Sequence, residues 1–577
     1  MKKVISISII VALFCLGCAG VVVGVVQLAQ NGGSGYSEKN CNKYLADGDL
    51  FHDQACEYVS DIQPTSGENL QLRLKVKHGS AKSADILYTF DYNGVNPVYY
   101  TAHMTWEKVD STGLYDYWIG TVPANNAPYN YKFCVQNNVD KAYYNREGLS
   151  SDAAVSTSGD WAVLPDFKTP AWSQGALWYS VMPESFYNAD TLNDKTGVNS
   201  GENTDFETPW GGHNSTLGEW FGGDLEGITH KEEYLANALK VGSLFVNPFW
   251  VTNHNAGYGC YDFYQIDSAL GNDVELLKLV SALHDDELKI MLDAVFEYCN
   301  VNNILYNVTQ KYPDLVKDAF YNFVQRDEQG NVKESVWSGG LIDFSKQITR
   351  ETIYTDEQSV MLTYLITFGI DAWRMDVGNT LSGSRAGNWE TATEILQDIR
   401  PYLKQISEDV LFLSEHADMN QLTDGILDSK WNYDFQKAVL SWCSNTSNAS
   451  VLATALGDAV FGSYTRGVSN SLYNFLTTHD TKSFYEQIGY DKVSYMSAYL
   501  LMMTYVGSPC VYFNEETGSG ATKLTDLGTM TNSFYTSMNW DSSTYDYDVY
   551  NFIKALATVR NTFADEYRTG GFLNLYS

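Results

Sequence analysis

The chain has 577 residues, which is more than one hydrophobic core usually supports, so two or three domains are expected. Its formal net charge of -33 excludes a nucleic-acid partner, because neutralising phosphates requires clustered Lys and Arg. A neutral ligand is favoured instead. Aromatic residues make up 14% of the chain, and their flat apolar faces suit stacking on sugar rings as well as ordinary core packing.

The first 30 residues predict a targeting segment. Lys2 and Lys3 precede an apolar run from residue 4 to residue 28, which exceeds the roughly 20 residues needed to span a bilayer. A retained membrane anchor, a cleaved signal peptide and lipid attachment at Cys18 all remain open. Each alternative places the bulk of the chain outside the cytoplasm, so we predict a protein that is secreted or anchored to the membrane.

Short runs separated by turn residues predict an N-terminal β-sandwich over residues 66–165. Leu70-Gln-Leu-Arg-Leu-Lys-Val is typical, because apolar and polar residues alternate as they do in a strand with one buried face. The preceding residues 31–65 begin with Asn31-Gly-Gly-Ser-Gly and are predicted to form a linker.

From 166 to 565, strand-like apolar runs alternate with amphipathic helical segments, which is typical of an α/β fold with a parallel sheet. The pattern predicts a (β/α)8 barrel with an insertion at about 297–345, after the third strand. A doubly wound open sheet is the alternative, although no Gly-rich nucleotide loop follows any strand. The predicted strands are 176–182, 243–247, 289–296, 370–376, 410–415, a weak run at 431–435, 471–479 and 509–513.

Carboxylates stand where three predicted barrel strands end. Asp376 ends the fourth strand, Glu415 ends the fifth and Asp480 follows the seventh. Active sites of such barrels lie at the C-terminal ends of the strands, so we expect the three to lie close together. One carboxylate can attack an anomeric carbon while a protonated one delivers a proton to the leaving oxygen. Arg374, on the same strand face as Asp376, would hold that carboxylate ionised.

Four ordered segments resemble regions of the α-amylase superfamily of glycoside hydrolases, most closely its neopullulanase and cyclomaltodextrinase group. The segments are Met291-Leu-Asp-Ala-Val-Phe, Asp371-Ala-Trp-Arg-Met-Asp-Val, Phe412-Leu-Ser-Glu-His and Phe475-Leu-Thr-Thr-His-Asp.

The resemblance implies that Asp376 is the nucleophile and Glu415 the general acid/base. Asp480 is implied to bind sugar hydroxyls and to favour the distorted transition state. The remaining residues implied to line this subsite are Arg374, His479 and Tyr258, the last by stacking on the sugar.

A calcium site is predicted separately, because Asx side chains gather hard oxygen ligands within seven residues and a Gly-Gly-Asp segment adds a carbonyl and a carboxylate. The spacing resembles the calcium site at the barrel entrance of the neopullulanase group. The alternative is an Asx-rich turn without an ion. The predicted Ca2+ ligands are Asn188, Asp190, Asn193, Asp194, Gly222 and Asp224.

The chain departs from the family pattern in two places. Glu297-Tyr298 stands where the family usually has Asn-His, and we expect Tyr298 to face the sugar in place of that His. Residues 566–577 stand where relatives begin a C-terminal β-domain, so they are predicted to be the start of a domain that is otherwise absent from this chain.

The resemblance implies a retaining α-glucan hydrolase that acts on α-1,4 bonds of maltooligosaccharides, cyclodextrins, pullulan or starch. The alternative is a non-catalytic, membrane-anchored amylase-like ectodomain that serves as a partner or carbohydrate-binding subunit. Asp376, Glu415 and Asp480 argue against it, because a binding scaffold has no chemical need for all three. The sequence does not decide between hydrolysis and transglycosylation, and it does not give the oligomeric state.

Overall fold

A computed structural model describes residues 36–572 apart from 47, 152–156, 158, 196–197, 200–203, 208–209, 211–218, 253–254, 302, 306–322, 337–338, 382–388, 458–463, 520–522 and 526–532. The predicted targeting segment lies outside these residues. Within the described part of the chain, no helix is both long and apolar enough to cross a membrane.

The N-terminal part is a sandwich of two antiparallel sheets. Leu70–Lys77 alternates between buried and more exposed side chains, as a strand over a core should. It pairs with Leu50–Phe51, so the sandwich takes in part of the predicted linker. The first sheet has the strand order Leu50–Phe51, Leu70–Lys77, Tyr115–Val122 and Thr105–Val109. The second has the order Tyr100–His103, Ser83–Thr89, Tyr129–Gln136, Lys141–Asn145 and Gly148–Ser150, with Trp161–Val163 also on Tyr129–Gln136.

The rest of the chain is built on eight parallel strands. The first strand (Trp178–Val181) and the eighth (Ser508–Tyr512) pair with each other, and the ring closes between the sixth (Ser429–Lys430) and the seventh (Tyr473–Phe475) through a parallel bridge from Trp431 to Tyr473. The predicted (β/α)8 barrel is therefore confirmed. The barrel strands are β1 (Trp178–Val181), β2 (Ser243–Val246), β3 (Lys289–Ala294), β4 (Ala372–Met375), β5 (Leu411–Ser414), β6 (Ser429–Lys430), β7 (Tyr473–Phe475) and β8 (Ser508–Tyr512).

The sixth strand was predicted at 431–435, and this position is wrong. The strand is Ser429–Lys430, and Asn432 already caps the helix Tyr433–Cys443 by accepting a hydrogen bond from the Phe435 N–H. Two strand residues are too few to produce a hydrophobic period of two, whereas the aromatic residues of the following helix imitate a strand.

Helices surround the barrel and follow the expected sequence signals. Asn272 caps the helix before β3, and Leu276, Leu279 and Leu283 are buried against the barrel. Gly369 ends the segment before β4 in the left-handed conformation that favours glycine. The α-helices are Pro183–Phe186, Leu225–His230, Asp273–Asp285, Gln347–Arg350, Val360–Thr363, Trp389–Ile406, Met419–Thr423, Tyr433–Cys443, Ala449–Ala455, Arg466–Ser471, Phe484–Gln487, Lys492–Thr504, Tyr547–Thr562 and Ala564–Thr569.

Shorter elements join the main ones. The ribbon of Tyr298–Asn300 and Gly339–Leu341 brackets the predicted insertion after β3. The π-helical turns are Tyr234–Ala238, Glu351–Thr355 and Tyr364–Phe368, and the 3-10 turns are Ala171–Ser173, Gly378–Thr380, Glu515–Thr517 and Ser542–Thr544. The remaining short strands are Val198–Asn199, Thr204–Glu207, Glu219–Trp220, Trp250–Val251, Asp262–Ile266, Lys523–Thr525 and Ser533–Tyr535.

The sandwich contacts the barrel through polar groups. Arg466 Nη2 lies 3.1 Å from the Asp53 carboxylate, and the Tyr92 hydroxyl donates to the Thr423 carbonyl at 2.6 Å. The helix Ala564–Thr569 extends past the predicted barrel boundary at 565. The other predicted domain boundaries stay predictions.

Candidate active site

Arg374 is the buried centre of a carboxylate cluster. Strand register places Asp293 on β3 directly beside Arg374 on β4, and alternation places Asp376 on the same face as Arg374. Arg374 Nη1 lies 2.6 Å from Asp293 Oδ1 and 2.8 Å from Asp376 Oδ1. Its guanidinium also lies 4.3 Å from the centre of the Trp431 ring inside the barrel. One fully desolvated cation therefore fixes two carboxylates at the strand ends.

The same guanidinium reaches Glu415, which follows β5. Arg374 Nη2 lies 3.0 Å from Glu415 Oε2, and the Val377 backbone N–H donates to that oxygen at 3.0 Å. The Tyr433 hydroxyl donates to Glu415 Oε1 at 3.0 Å, and His416 Nε2 lies 3.5 Å from it. Both oxygens of this carboxyl are thus held, and its rotamer is fixed.

Asp480 joins the cluster through His479 and Tyr258. His479 Nε2 lies 3.1 Å from Asp480 Oδ2 and 2.6 Å from the Tyr258 hydroxyl. The Tyr258 and His479 rings are stacked with centroids 5.3 Å apart, and the Tyr258 hydroxyl donates to Asp293 at 2.7 Å. The side chain of Asp480 is 44% exposed, whereas His479 is buried. Asp480 is therefore the member of the cluster that is open to a ligand from solvent.

The electrostatics of the cluster favour retention of a proton. Burial raises the pKa of Asp376 well above its usual range, Arg374 opposes this shift, and the charges of Glu415, Asp293 and Asp480 add to it. Burial also raises the pKa of Asp293, again against Arg374. The pKa shifts of Asp376 and Asp293 therefore both favour the protonated form of these carboxyl groups.

Six of the seven residues predicted to act on the substrate come together here: Asp376, Glu415, Asp480, Arg374, His479 and Tyr258. The seventh, Tyr298, is buried in the core and stands opposite Leu341 in the ribbon after β3. Its expected contact with the sugar stays a prediction, as do the catalytic roles of Asp376, Glu415 and Asp480 and the substrate-binding roles of the other three residues.

Sequence reasoning missed three residues of the cluster. Asp293 lies in the family-like segment Met291-Leu-Asp-Ala-Val-Phe at the end of the third predicted strand, so the sequence did contain a sign of its role. The structure pairs it with Arg374 on β4. The contact of Tyr433 with Glu415 was not predicted, because residues 431–435 were predicted to be a strand and Tyr433 begins a helix. Asn247 donates to the Tyr258 hydroxyl at 3.2 Å, and its place at the end of β2 was the only signal for it.

The predicted calcium ligands also approach one another. Asn188 Nδ2 donates to Asp194 Oδ1 at 2.9 Å, and a Cβ added to Gly222 would meet both side chains at 2.5 Å. The Oδ1 atoms of Asn188 and Asn193 are buried without a hydrogen-bond partner. Unpaired buried oxygens are costly and fit a cation-binding segment.

Two of the predicted ligands already have backbone partners. Asp224 Oδ2 accepts from the backbone N–H groups of Ala189 and Asp190, and its Oδ1 caps the helix Leu225–His230 through the Gly227 N–H. Asp190 Oδ1 accepts from the Leu192 N–H at 3.0 Å. Asp224 therefore shapes the segment in addition to any contact with an ion.

Comparison with known families assigns the fold around this cluster. The model of the alpha-amylase catalytic domain matches residues 180–568, and that of the alpha-amylase N-terminal Ig-like domain matches residues 49–164. The chain belongs to the alpha-amylase family. The predicted resemblance is confirmed, and so is the prediction that this member of the alpha-amylase family is a glycoside hydrolase. The non-catalytic alternative gains no support.

Proteins that are similar to this chain support its assignment to the alpha-amylase family. It is 26% identical to the maltogenic alpha-amylase of Bacillus acidopullulyticus, over 78% of this chain and 75% of the relative. It is also 26% identical to the cyclomaltodextrinase of Geobacillus thermopakistaniensis, over 86% of this chain and 82% of the relative. A solved cyclomaltodextrinase structure superimposes with a TM-score of 0.63 at 24% identity, covering 91% of this chain and 86% of the other.

Proposed function

We propose that the protein is a retaining α-glucan hydrolase that cleaves α-1,4 bonds of maltooligosaccharides, cyclodextrins, pullulan or starch. Asp376 is the nucleophile, Glu415 the general acid/base and Asp480 the group that binds sugar hydroxyls. The names of the relatives, maltogenic alpha-amylase and cyclomaltodextrinase, support the substrate class.

The observation that carries the mechanism is the contact of one guanidinium, Arg374, with both Asp376 and Glu415. Retention requires the two carboxyl groups to lie about 5–5.5 Å apart, whereas inversion leaves room for a water at about 6.5–9.5 Å. A shared guanidinium supports the shorter separation.

The residues act in two successive displacements at the anomeric carbon. Arg374 holds Asp376 Oδ1, which leaves Oδ2 to form a bond to the anomeric carbon while Glu415 transfers its proton to the leaving oxygen. Water then attacks the glycosyl-enzyme, Glu415 takes a proton from that water, and the bond to Asp376 breaks. The first displacement uses Asp376 as the carboxylate and Glu415 as the carboxylic acid.

Product stereochemistry tests this assignment. The unaltered protein should release reducing sugar from soluble starch and cyclodextrin with the α-anomer formed first, as followed by NMR. Asp376→Asn should abolish this release. Azide should restore activity to Glu415→Ala with an α-glycosyl azide as product, and a β-glycosyl azide from this variant would contradict the acid/base role. Equal sugar release by Asp376→Asn and the unaltered protein would sink the proposal.

We further propose that Asn188, Asp190, Asn193, Asp194, Gly222 and Asp224 bind Ca2+. The unpartnered Oδ1 atoms of Asn188 and Asn193 support the site. The ion would stabilise the segment between β1 and β2, so chelation should lower the melting temperature. Asp190→Ala should remove the calcium dependence of melting, whereas Asp327→Ala, on an exposed turn, should leave it intact. An unchanged dependence in Asp190→Ala would show that no such site exists.

The location of the protein is a separate proposal. The apolar run between residues 4 and 28 supports export, with the segment either cleaved or retained as an anchor. Fractionation of cells that express the full chain, compared with a version that lacks residues 1–30, tests it. Recovery of both versions in the cytoplasm would contradict export.

A further inference from the structure

A groove on the barrel surface has no part in the proposed chemistry. It is an open depression of about 510 Å3 beside the π-helical turn Glu351–Thr355, and it includes none of the residues of the carboxylate cluster. We call it the Tyr264 groove, and its lining includes Tyr264, Glu351, Thr352, Asp356, Gln358 and Thr363.

Tyr264 presents a fixed aromatic ring in this groove. Tyr264 is 46% exposed, and its hydroxyl lies 3.1 Å from the Thr352 carbonyl and 3.0 Å from the Gln358 carbonyl. The hydroxyl is therefore occupied by the backbone on both sides of the turn, and the ring face remains for a ligand. A ring that is already held in place loses little conformational entropy when a ligand stacks on it.

The rim of the groove is polar. Glu351 lies at one side, where its Oε1 accepts from Gln347 Nε2, and Asp356 Oδ1 accepts from the Gln358 N–H at the other. The second oxygen of each carboxylate and the exposed Gln358 side chain are available to hydroxyl donors. Two carboxylates in a chain of net charge -33 exclude an anion.

A flat apolar face bordered by hydrogen-bond acceptors matches a neutral polyhydroxylated ring. The π-helical turn widens the backbone beside the ring, and such turns are frequent at functional sites. We propose that the Tyr264 groove is a second glucan-binding site, in which a sugar stacks on Tyr264 and its hydroxyls donate to the rim. That the bound chain is an α-glucan rests on the proposed function.

Such a site tethers a long substrate and leaves the cleavage of short ones unchanged. Tyr264→Ala should raise KM for soluble starch by roughly three- to tenfold, the loss expected for one stacked ring, with kcat unchanged. Its kinetics on p-nitrophenyl maltotrioside should equal those of the unaltered protein. Tyr44→Ala removes a 77% exposed tyrosine elsewhere and should change neither substrate.

A binding assay on a catalytically inactive variant tests the groove independently of the proposed hydrolysis. Full-length Asp376→Asn should be retarded in a native gel that contains soluble starch, and adding Tyr264→Ala should reduce this retardation. Gln358→Leu, which places an aliphatic side chain without an aromatic face or a hydrogen-bonding group at the exposed rim of the groove, should also reduce it and covers the case in which Tyr264→Ala fails to fold. Glu351→Gln keeps an acceptor and should reduce it less than Tyr264→Ala.

Three outcomes would overturn the site. The first is unchanged retardation in both Tyr264→Ala and Gln358→Leu. The second is an equal loss of activity on starch and on the short substrate. The third is a loss of retardation in Glu351→Gln as complete as in Tyr264→Ala, which would show that the charge of Glu351, and not stacking on the ring, decides binding. Failure of the unaltered protein to cleave starch would refute the proposed function and leave the retardation test intact.

Discussion

Asp293 and Arg374 are register partners on β3 and β4, and Arg374 Nη1 lies between the Asp293 carboxylate at 2.6 Å and the Asp376 carboxylate at 2.8 Å. The nitrogen that stabilises the proposed nucleophile is therefore shared with a second buried acid. Asp293 both competes for Arg374 and adds a negative charge near Asp376, and both effects raise the pKa of Asp376.

Asp293→Asn should shift the acid limb of kcat/KM. The nucleophile works only when ionised, so activity is lost as the pH falls through the pKa of Asp376, which burial raises. Replacing Asp293 removes one negative neighbour and frees Arg374, so the limb should move to lower pH by roughly one unit. A pH–rate profile measures this shift. Asp565→Asn, on an exposed side chain, is the control, and an unmoved limb in Asp293→Asn would contradict the coupling.

The sequence predicted the barrel and most of the cluster for a physical reason. Seven of the eight strands are buried apolar runs, and Asp376 and Glu415 stand where such runs stop. Contacts that depend on the three-dimensional turn could not be found in this way. Val377 donates its N–H to Glu415 and has a left-handed backbone, which the sequence pattern does not predict because a β-branched residue rarely adopts it.

Val377→Gly should stabilise the protein and preserve activity. Val377 has φ of 40°, a conformation that is costly for a β-branched residue, by roughly 1–3 kcal/mol. Glycine removes this cost and keeps the N–H that donates to Glu415. Its greater flexibility stabilises the unfolded state by about 0.4–1 kcal/mol, which offsets part of the gain. We expect a net gain of about 1 kcal/mol in the free energy of unfolding, measured by urea titration. A loss of stability would show that the Val377 side chain contributes more packing than its backbone costs.

Glu516→Gln should flatten the dependence of stability on pH. Glu516 is fully buried, accepts hydrogen bonds from the hydroxyls of Tyr179 and Tyr234, and has its pKa raised from 4.5 to about 7 by burial. Between these values the unfolded chain ionises while the folded protein keeps its proton, so stability falls as the pH rises from 4.5 to 7. Below 4.5 the penalty is absent.

Melting temperatures measured from pH 4.5 to 8 test this linkage. Glu516→Gln keeps an acceptor for both tyrosines and should raise the melting temperature above pH 7 with little change near pH 4.5. The exposed Glu566→Gln should follow the unaltered protein throughout. Parallel curves for Glu516→Gln and the unaltered protein would contradict a protonated Glu516 in the fold.

Tyr433 should act through Glu415. Its hydroxyl donates to Glu415 Oε1 at 3.0 Å, and its ring is stacked on His416 with centroids 4.8 Å apart, so Tyr433 orients the proposed acid without reaching the anomeric carbon itself. Tyr433→Phe keeps the stack and removes the hydrogen bond to the carboxyl. Such a bond is worth about 1.5–3 kcal/mol, so kcat/KM on maltooligosaccharides should fall roughly tenfold or more.

The leaving group distinguishes this role from general damage to the site. Fluoride departs with little help from an acid, so Tyr433→Phe should lose much less activity on α-maltosyl fluoride than on maltotriose. Tyr545→Phe removes a hydroxyl that donates to the Asn539 carbonyl outside the carboxylate cluster and should change neither rate. Equal losses on both substrates would mean that Tyr433 supports binding and not proton transfer.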